Sequence, residues 1–346
     1  MDSLEKVFAD INKKFGKNSI MTLGETPTVT EKLYSTGSLL LDRALGGGIA
    51  QSRIIECAGP ESAGKSTLAL QLAAQVQKSG KRVAYLDTEN AMDPVYAEKL
   101  GVDINSLAFA QPTSAEETLE IADMLAKSGE FGLIIVDSVA AMSPQAELDG
   151  EMGDMTIGLL ARLLSKFFRK VTGTLNANDC TMFFINQLRD KISTGWSGGG
   201  ETTTTPGGRA LKFFSSQRIE LKKIGQIKEK DEVIGNNIRA RIIKNKINVP
   251  MKQVDLQLIF GRGFSADDEV MTLALDYDFI KQSGAWFTTH DGQRVQGKAG
   301  VRAYYDEHKA KAEELRTMVI NRLTNKDTRI EDLKIDPETG EILEEW

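Results

Sequence analysis

The chain has 346 residues, of which 41% are hydrophobic and 27% charged, with a formal net charge of −6. Such a chain buries a large core, which excludes a disordered polypeptide and a small disulfide-stapled one. Two widely spaced cysteines, Cys57 and Cys180, and two histidines, His290 and His308, are too few for a rich metal centre or for structural zinc.

Residues 3–15 set apolar and charged positions at helical spacing, and GKNSIMTLGETPTVT then breaks the pattern. Residues 1–34 are therefore expected to form a small helical arm and a linker, to which the family resemblance given below adds a role in oligomerisation. The amino terminus lacks a signal-peptide layout and no apolar run reaches membrane length, so a cytoplasmic protein with no membrane partner is expected. From Ser35 onward short apolar runs (RIIECA, RVAYLD, LAFAQ, FGLIIVD, CTMFFINQ) alternate with amphipathic helices near 65–79, 93–100, 114–127 and 156–176. That alternation predicts an α/β core, residues 35–262, with a mostly parallel twisted sheet covered on both faces. RIELKKIG, IRARIIKNKI and VDLQLIF follow one another directly and predict an antiparallel extension. A helix, a hairpin and one closing helix near 300–325 predict a small α+β domain at 263–326.

Residues 327–346 hold eight acids and two bases, so the whole net charge sits in an acidic, mobile tail, and residues 1–326 balance 41 bases against 41 acids. Local basic clusters then become informative, and a tail of this charge is expected to compete with any polyanionic partner.

Gly59, Pro60, Glu61, Ser62, Ala63, Gly64, Lys65, Ser66 and Thr67 spell GPESAGKST between an apolar strand and a helix. Backbone N–H groups of such a loop hold phosphates, Lys65 neutralises the β/γ oxygens and Ser66 ligates Mg²⁺. Asp137 ends LIIVD, where it either supports Mg²⁺ through water or caps the following segment. Asp87 and Glu89 end another strand, and a carboxylate there could polarise the attacking water; Glu89 is preferred. Gln187 ends a strand at the side of the sheet that faces the ligand crevice, and the Gly/Thr-rich LRDKISTGWSGGGETTTTPGGR begins at the next residue. Gln187 can therefore touch the γ-phosphate while its chain runs on into a long loop. Arg162, Lys166, Arg169 and Lys170 fall along one predicted helix, and Arg239, Arg241, Lys244, Lys246 and Lys252 cluster later, neither stretch containing an acid. These are either solvated faces or the walls of a groove for a phosphate backbone.

Across residues 10–310 the blocks INKKFGKNSIM, STGSLLLDRALGGG, GPESAGKST, LIIVDSVAAMSP, GLLARLLSKFFRK, FFINQLRDKI and ETTTTPGGRALKF resemble the bacterial RecA recombinases. The resemblance implies a P-loop ATPase that forms a helical filament on single-stranded DNA, pairs it with a homologous duplex and exchanges strands, with ATP and Mg²⁺ between protomers. It also implies activation of a self-cleaving repressor and contact with mediator or single-strand-binding proteins. By position it makes Glu89 the water-activating residue, Tyr96 an adenine-stacking residue, Gln187 the γ-phosphate sensor, Lys244 and Lys246 donors to the neighbouring subunit's ATP, and Phe213 an interface aromatic. The DNA loops fall at about 151–157 and 188–209. Ile157, Arg162, Arg169, Ile192, Thr194, Gly207, Gly208 and Arg209 are the implied DNA contacts, Ile192 or a neighbour wedging between bases. Thr88 and Asn90 beside Glu89, extra residues around GGGETTTTPGG, Arg209 and the tail depart from the family pattern and fit a divergent or phage-encoded member. A hexameric translocating motor on the same core and a filament acting chiefly as a co-protease scaffold are the competing readings.

Overall fold

The computed structural model describes residues 3–16, 19–22, 32–151, 158–190, 203–204, 206–229, 231–264 and 266–325. The implied DNA contacts Ile157, Ile192 and Thr194, and the acidic tail 327–346, lie outside the described residues. Residues 1–32 form one unit and residues 33–346 another. In the first, Asn12 of α1 (Ser3–Phe15) donates its side-chain amide N–H to the Ile20 carbonyl and accepts the Ile20 N–H at Oδ1, both at 3.1 Å.

In the second unit β1 (Leu33–Tyr34) pairs antiparallel with β2 (Ile49–Ala50) around α2 (Leu39–Leu45). The alternation follows as β3 (Ile54–Gly59), α3 (Lys65–Lys78), β4 (Arg82–Asp87), α4 (Pro94–Lys99), β5 (Ala108–Ala110), α5 (Ala115–Ser128), β6 (Phe131–Asp137), α6 (Gln145–Leu148), α7 (Leu159–Ala177) and β7 (Thr181–Gln187). The backbones of β8 (Arg189–Asp190) and β9 (Thr203–Thr204) pair with each other, and α8 (Ala210–Phe214) comes next. Then β10 (Gln217–Glu229), β11 (Glu232–Asn245), β12 (Gln253–Ile259) and β13 (Gly263–Phe264) complete a nine-stranded sheet in the order β13-β12-β11-β10-β3-β7-β6-β4-β5. The strands from β10 to β5 in that order are parallel and β11 to β13 extend them antiparallel. Side chains alternate across the strands: Leu133 and Ile135 pack under α3 with Leu68 and Leu72, whereas Ile134 and Val136 pack under α5 and α7 with Leu119 and Phe168. Strands buried on both faces need continuous apolar runs, which is what these segments supply.

The carboxyl-terminal elements are α9 (Ala266–Asp276), β14 (Lys281–Ser283), β15 (Trp286–Thr288), β16 (Arg294–Gln296), α10 (Gly297–Glu307) and α11 (Lys309–Asn325). The single closing helix expected from periodicity is in fact two. His308 leaves helical backbone at φ −114°, ψ 67°, and its ring stacks on Tyr304 while Nδ1 lies 2.8 Å from the Tyr304 carbonyl. Leu273, Ile280, Phe287, Val301, Leu315 and Val319 make a third core that also takes in Leu39 of α2. At the same junction the buried Glu269 accepts hydrogen bonds from Ser38 Oγ (2.8 Å) and the Leu40 N–H (3.3 Å), so a carboxylate of α9 sits at the amino end of α2. Burial pushes its pKa up to about 7. Asp42, buried one turn along α2, is pushed up to about 6 for the same reason, against three hydrogen bonds from Ser35 and Thr36. Arg43 and Asp276 pair at 2.6 Å beside them.

Candidate functional site

The phosphate loop starts where β3 ends beside its parallel neighbour β10. A Cβ at Gly59 would lie 2.4 Å from the Leu221 carbonyl oxygen, so no other residue fits that point. The chain turns through Ser62 at φ 57° and Gly64 at φ 87°, and α3 begins at Lys65 with no side-chain cap. Its first-turn N–H groups therefore face the loop, which suits an anion. Lys65 Nζ donates to the Pro60 carbonyl at 2.7 Å, so its ammonium lies over the loop. Ser66 Oγ donates to Asp137 Oδ2 at 2.7 Å, and Tyr85 Oη donates to the same oxygen at 2.7 Å. Burial raises the Asp137 pKa, and the two hydroxyl donors oppose that shift. The Thr67 and Tyr96 hydroxyls lie 2.9 Å apart, which brings α4 to the loop.

Asp87 and Glu89 are not equivalent. Asp87 is buried and its carboxylate accepts from the N–H groups of Glu89 (3.2 Å) and Met92 (3.1 Å) and from the Gln111 amide (3.4 Å), which commits it to holding the turn. Glu89 is exposed at the crevice, where Oε1 accepts from Ser138 Oγ at 2.5 Å and from Gln187 Nε2 at 3.3 Å. Thr88 faces inward: its N–H binds the Asp137 carbonyl and its hydroxyl the Ser138 carbonyl, both at 2.8 Å. Ser66, Asp137, Ser138, Glu89 and Gln187 thus form one contiguous polar row along the carboxyl ends of β6 and β7. Tyr85 and Ser138 went unread in the sequence. The available signal was a tyrosine in an otherwise apolar buried strand, because a buried hydroxyl seeks a partner.

Lys244 and Lys246 stand elsewhere. Strand register places Lys244 opposite Arg218, which lies opposite Glu56, and Lys246 bonds through its N–H to Ser216, itself bonded to Ile54. Both lysines thus sit toward the start of β3, with Lys244 three residues, or about 10 Å, short of Gly59 and two strands to the side. Lys244 Nζ donates to the carbonyls of Lys212 and Phe213, each at 3.0 Å, and burial lowers its pKa. Phe213 is 65% exposed and lines, with Lys246, Thr172 and Asn176, a cavity of about 310 Å³ on that side of the molecule.

Neighbouring elements supply acids to both basic clusters. Lys170 pairs at 2.8 Å with Asp123 of α5, and Arg239 makes two bonds, 2.7 and 2.8 Å, to Asp255 of β12. Acids absent from each stretch are supplied by adjoining elements, so neither stretch is a continuous basic wall. Arg162, Lys166 and Arg169 of α7 and Arg209 before α8 are exposed. Gly207 and Gly208 are packing positions: at φ 80° and 72°, a Cβ would lie 2.5 Å from Leu164 and 2.9 Å from Ala161, both on α7. The end of the Gly/Thr loop is therefore pressed against the helix that carries Arg162 and Arg169.

The family model of the RecA N-terminal domain matches residues 2–265 and that of the RecA C-terminal domain matches residues 268–324. The chain belongs to the RecA family. It is 46% identical over 335 residues to "Protein RecA" of Acinetobacter baumannii, covering 95% of both chains. It is 45% identical over 332 residues to that of Colwellia psychrerythraea, again covering 95% of both, and 47% identical over 309 residues to that of Clostridium novyi, covering 89% of this chain and 87% of the relative. A crystal structure of the RadB recombinase shares the fold at a TM-score of 0.50 and 23% identity, covering 67% of this chain and 98% of that one. As a RecA protein the chain is a DNA-dependent ATPase and homologous recombinase that works as a filament on single-stranded DNA, and its P-loop core binds nucleotide. Among the described residues no helix is long and apolar enough to cross a membrane. No group of three or more His, Cys, Asp or Glu side chains among them could cage a metal. A P-loop magnesium needs none, since a hydroxyl, one carboxylate and nucleotide oxygens suffice, and the Ser66–Asp137 contact fits that donor set.

Proposed function

We propose that the substrate is ATP with Mg²⁺, held by residues 59–67 of one subunit and completed by Lys244 and Lys246 of the next. The observation that carries this reading is the placement of the two lysines toward the opposite end of the sheet from their own phosphate loop, beside an exposed aromatic. A lysine side chain spans about 6 Å, too little to close that separation within one chain. Ser66 and Asp137 would hold Mg²⁺, which supplies charge neutralisation at the β- and γ-phosphates. Tyr96 stacks the base, Lys65 neutralises phosphate oxygens, and Glu89, exposed next to Gln187, orients and polarises the attacking water. Gln187 exchanges its contact with Glu89 for one with the γ-phosphate, and the displacement enters the loop that starts at Leu188.

On this reading residues 151–157 and 188–209 bind single-stranded DNA and present it to a homologous duplex, with Arg162, Arg169 and Arg209 toward the backbone. ATP binding favours the DNA-competent filament and hydrolysis releases it, because only differential binding to the two states shifts their populations. The same filament activates a self-cleaving repressor and takes mediator or single-strand-binding proteins as partners.

Electron microscopy with single-stranded DNA tests the arrangement. Extended helical filaments are expected with a slowly hydrolysed ATP analogue and not with ADP. Closed rings in both nucleotides would refute the nucleotide-gated filament and favour a ring-shaped motor.

A further inference from the structure

Three buried polar side chains beneath the nucleotide site, Glu56, Asn186 and Arg218, take no part in the mechanism above. Glu56, 1% exposed, lies in β3 three residues before the phosphate loop, and Asn186, 0% exposed, ends the apolar run CTMFFIN immediately before Gln187. Arg218 Nε donates to Glu56 Oε2 at 2.5 Å, and Asn186 Nδ2 donates to Glu56 Oε1 at 3.2 Å. Asn186 Nδ2 also donates to the carbonyl of Pro206 at 3.3 Å, and Asn186 Oδ1 accepts the N–H of Gln187 at 2.9 Å. One side-chain amide thus joins the γ-phosphate sensor to the far end of the 188–209 loop, twenty residues away. The near end is tied as well, by Leu188 N–H to the Gly59 carbonyl at 3.2 Å, and the β8–β9 pairing brings the two ends side by side. Arg218 continues the row to its register partner Lys244.

A buried ion pair is a poor device for stability alone, because apolar residues of similar volume hold a core at least as well. What this one does is fix an amide whose other contacts lie at two moving parts. We infer that Asn186, oriented by Glu56, is a positioning residue that carries the displacement of Gln187 to the exit of the long loop, so that both ends respond to nucleotide together. The inference rests on the loop binding DNA. A loop tied only at Leu188 would feel the nucleotide at one end and remain unconstrained at the other.

The test compares the full-length chain with Asn186→Ala and Asn186→Asp. The aspartate keeps the acceptor for Gln187 N–H and loses the donor to Pro206. The affinity for a fluorescent oligothymidylate is measured with a slowly hydrolysed ATP analogue and with ADP, alongside the KM and kcat for ATP. Both variants are expected to keep KM within about twofold while the analogue-to-ADP affinity ratio falls about tenfold or more. Asn186→Ser serves if either variant fails to fold. An unchanged ratio in folded variants, or a loss of ATP affinity with the ratio intact, overturns the inference. A wild-type chain with equal affinities in the two nucleotides would instead overturn the loop assignment on which it rests.

Discussion

Replacing Glu269 by glutamine tests the junction between α2 and the carboxyl-terminal elements, and its size follows from the structure. The Glu269 carboxyl is buried among Ser38, Leu40 and the third core, and its pKa is raised from 4.5 to about 7, burial being the largest cause. A folded state that binds the proton more tightly than the unfolded chain gains stability that is fully present below pH 4.5 and is lost as pH rises through about 7. Integrating that difference gives a loss of about 2 kcal/mol between pH 5.5 and pH 8. Asp42, raised to about 6, contributes a loss of the same sign that is nearly complete by pH 6.5, so the interval from 6.5 to 8 reports mainly on Glu269. Glu269→Gln retains an acceptor for one of the two donors and carries no charge, so its stability should stay flat across that interval. The assay is urea denaturation at several pH values, followed through tryptophan fluorescence, with Trp286 on β15 as a reporter in this part of the fold. An equal decline in wild type and Glu269→Gln, or a wild type that gains stability toward pH 8, would refute the reasoning.

Glu89→Gln should lower ATP turnover by about 10²- to 10⁴-fold, the usual worth of a positioned base, and leave ATP-dependent binding to single-stranded DNA intact, whereas Lys65→Ala should abolish that binding. Stopped turnover assays and filter binding separate the two effects. Lys244→Ala should also be inactive alone. Mixed in equal amounts with Glu89→Gln subunits it should recover activity, because about a quarter of randomly formed head-to-tail interfaces then join an intact Glu89 to an intact Lys244. Activity that stays at the level of the separate variants would place both residues in one chain's site.

The alternation of strands and helices was readable because buried parallel strands demand unbroken apolar runs, and the phosphate loop because its glycines answer a local steric demand that GPESAGKST meets alone. What the sequence left out shares a cause: each feature depends on groups far apart in the chain. Lys170 and Arg239 looked unopposed because Asp123 and Asp255 belong to other elements. Glu89 is preferred over Asp87 with little in the spacing to separate them, and the fold puts Asp87 under the turn and Glu89 at the crevice. Gly207 and Gly208, implied as DNA contacts, also pack against α7, an approach that no local sequence signal carries. The break at His308 escaped periodicity because both flanking segments are good helices, and a single residue's backbone separates them.

The register that sets Lys244 level with Glu56 gives an assembly of such chains a direction. In the shared-site assembly proposed above, every junction joins a phosphate loop to the next chain's lysines, so a row of any length leaves one terminal chain with a loop lacking its donors and the other with donors facing solvent. Catalytic capacity therefore counts junctions and not chains, a lone chain has none, and loss of subunits by hydrolysis must begin at an end chemically unlike the other.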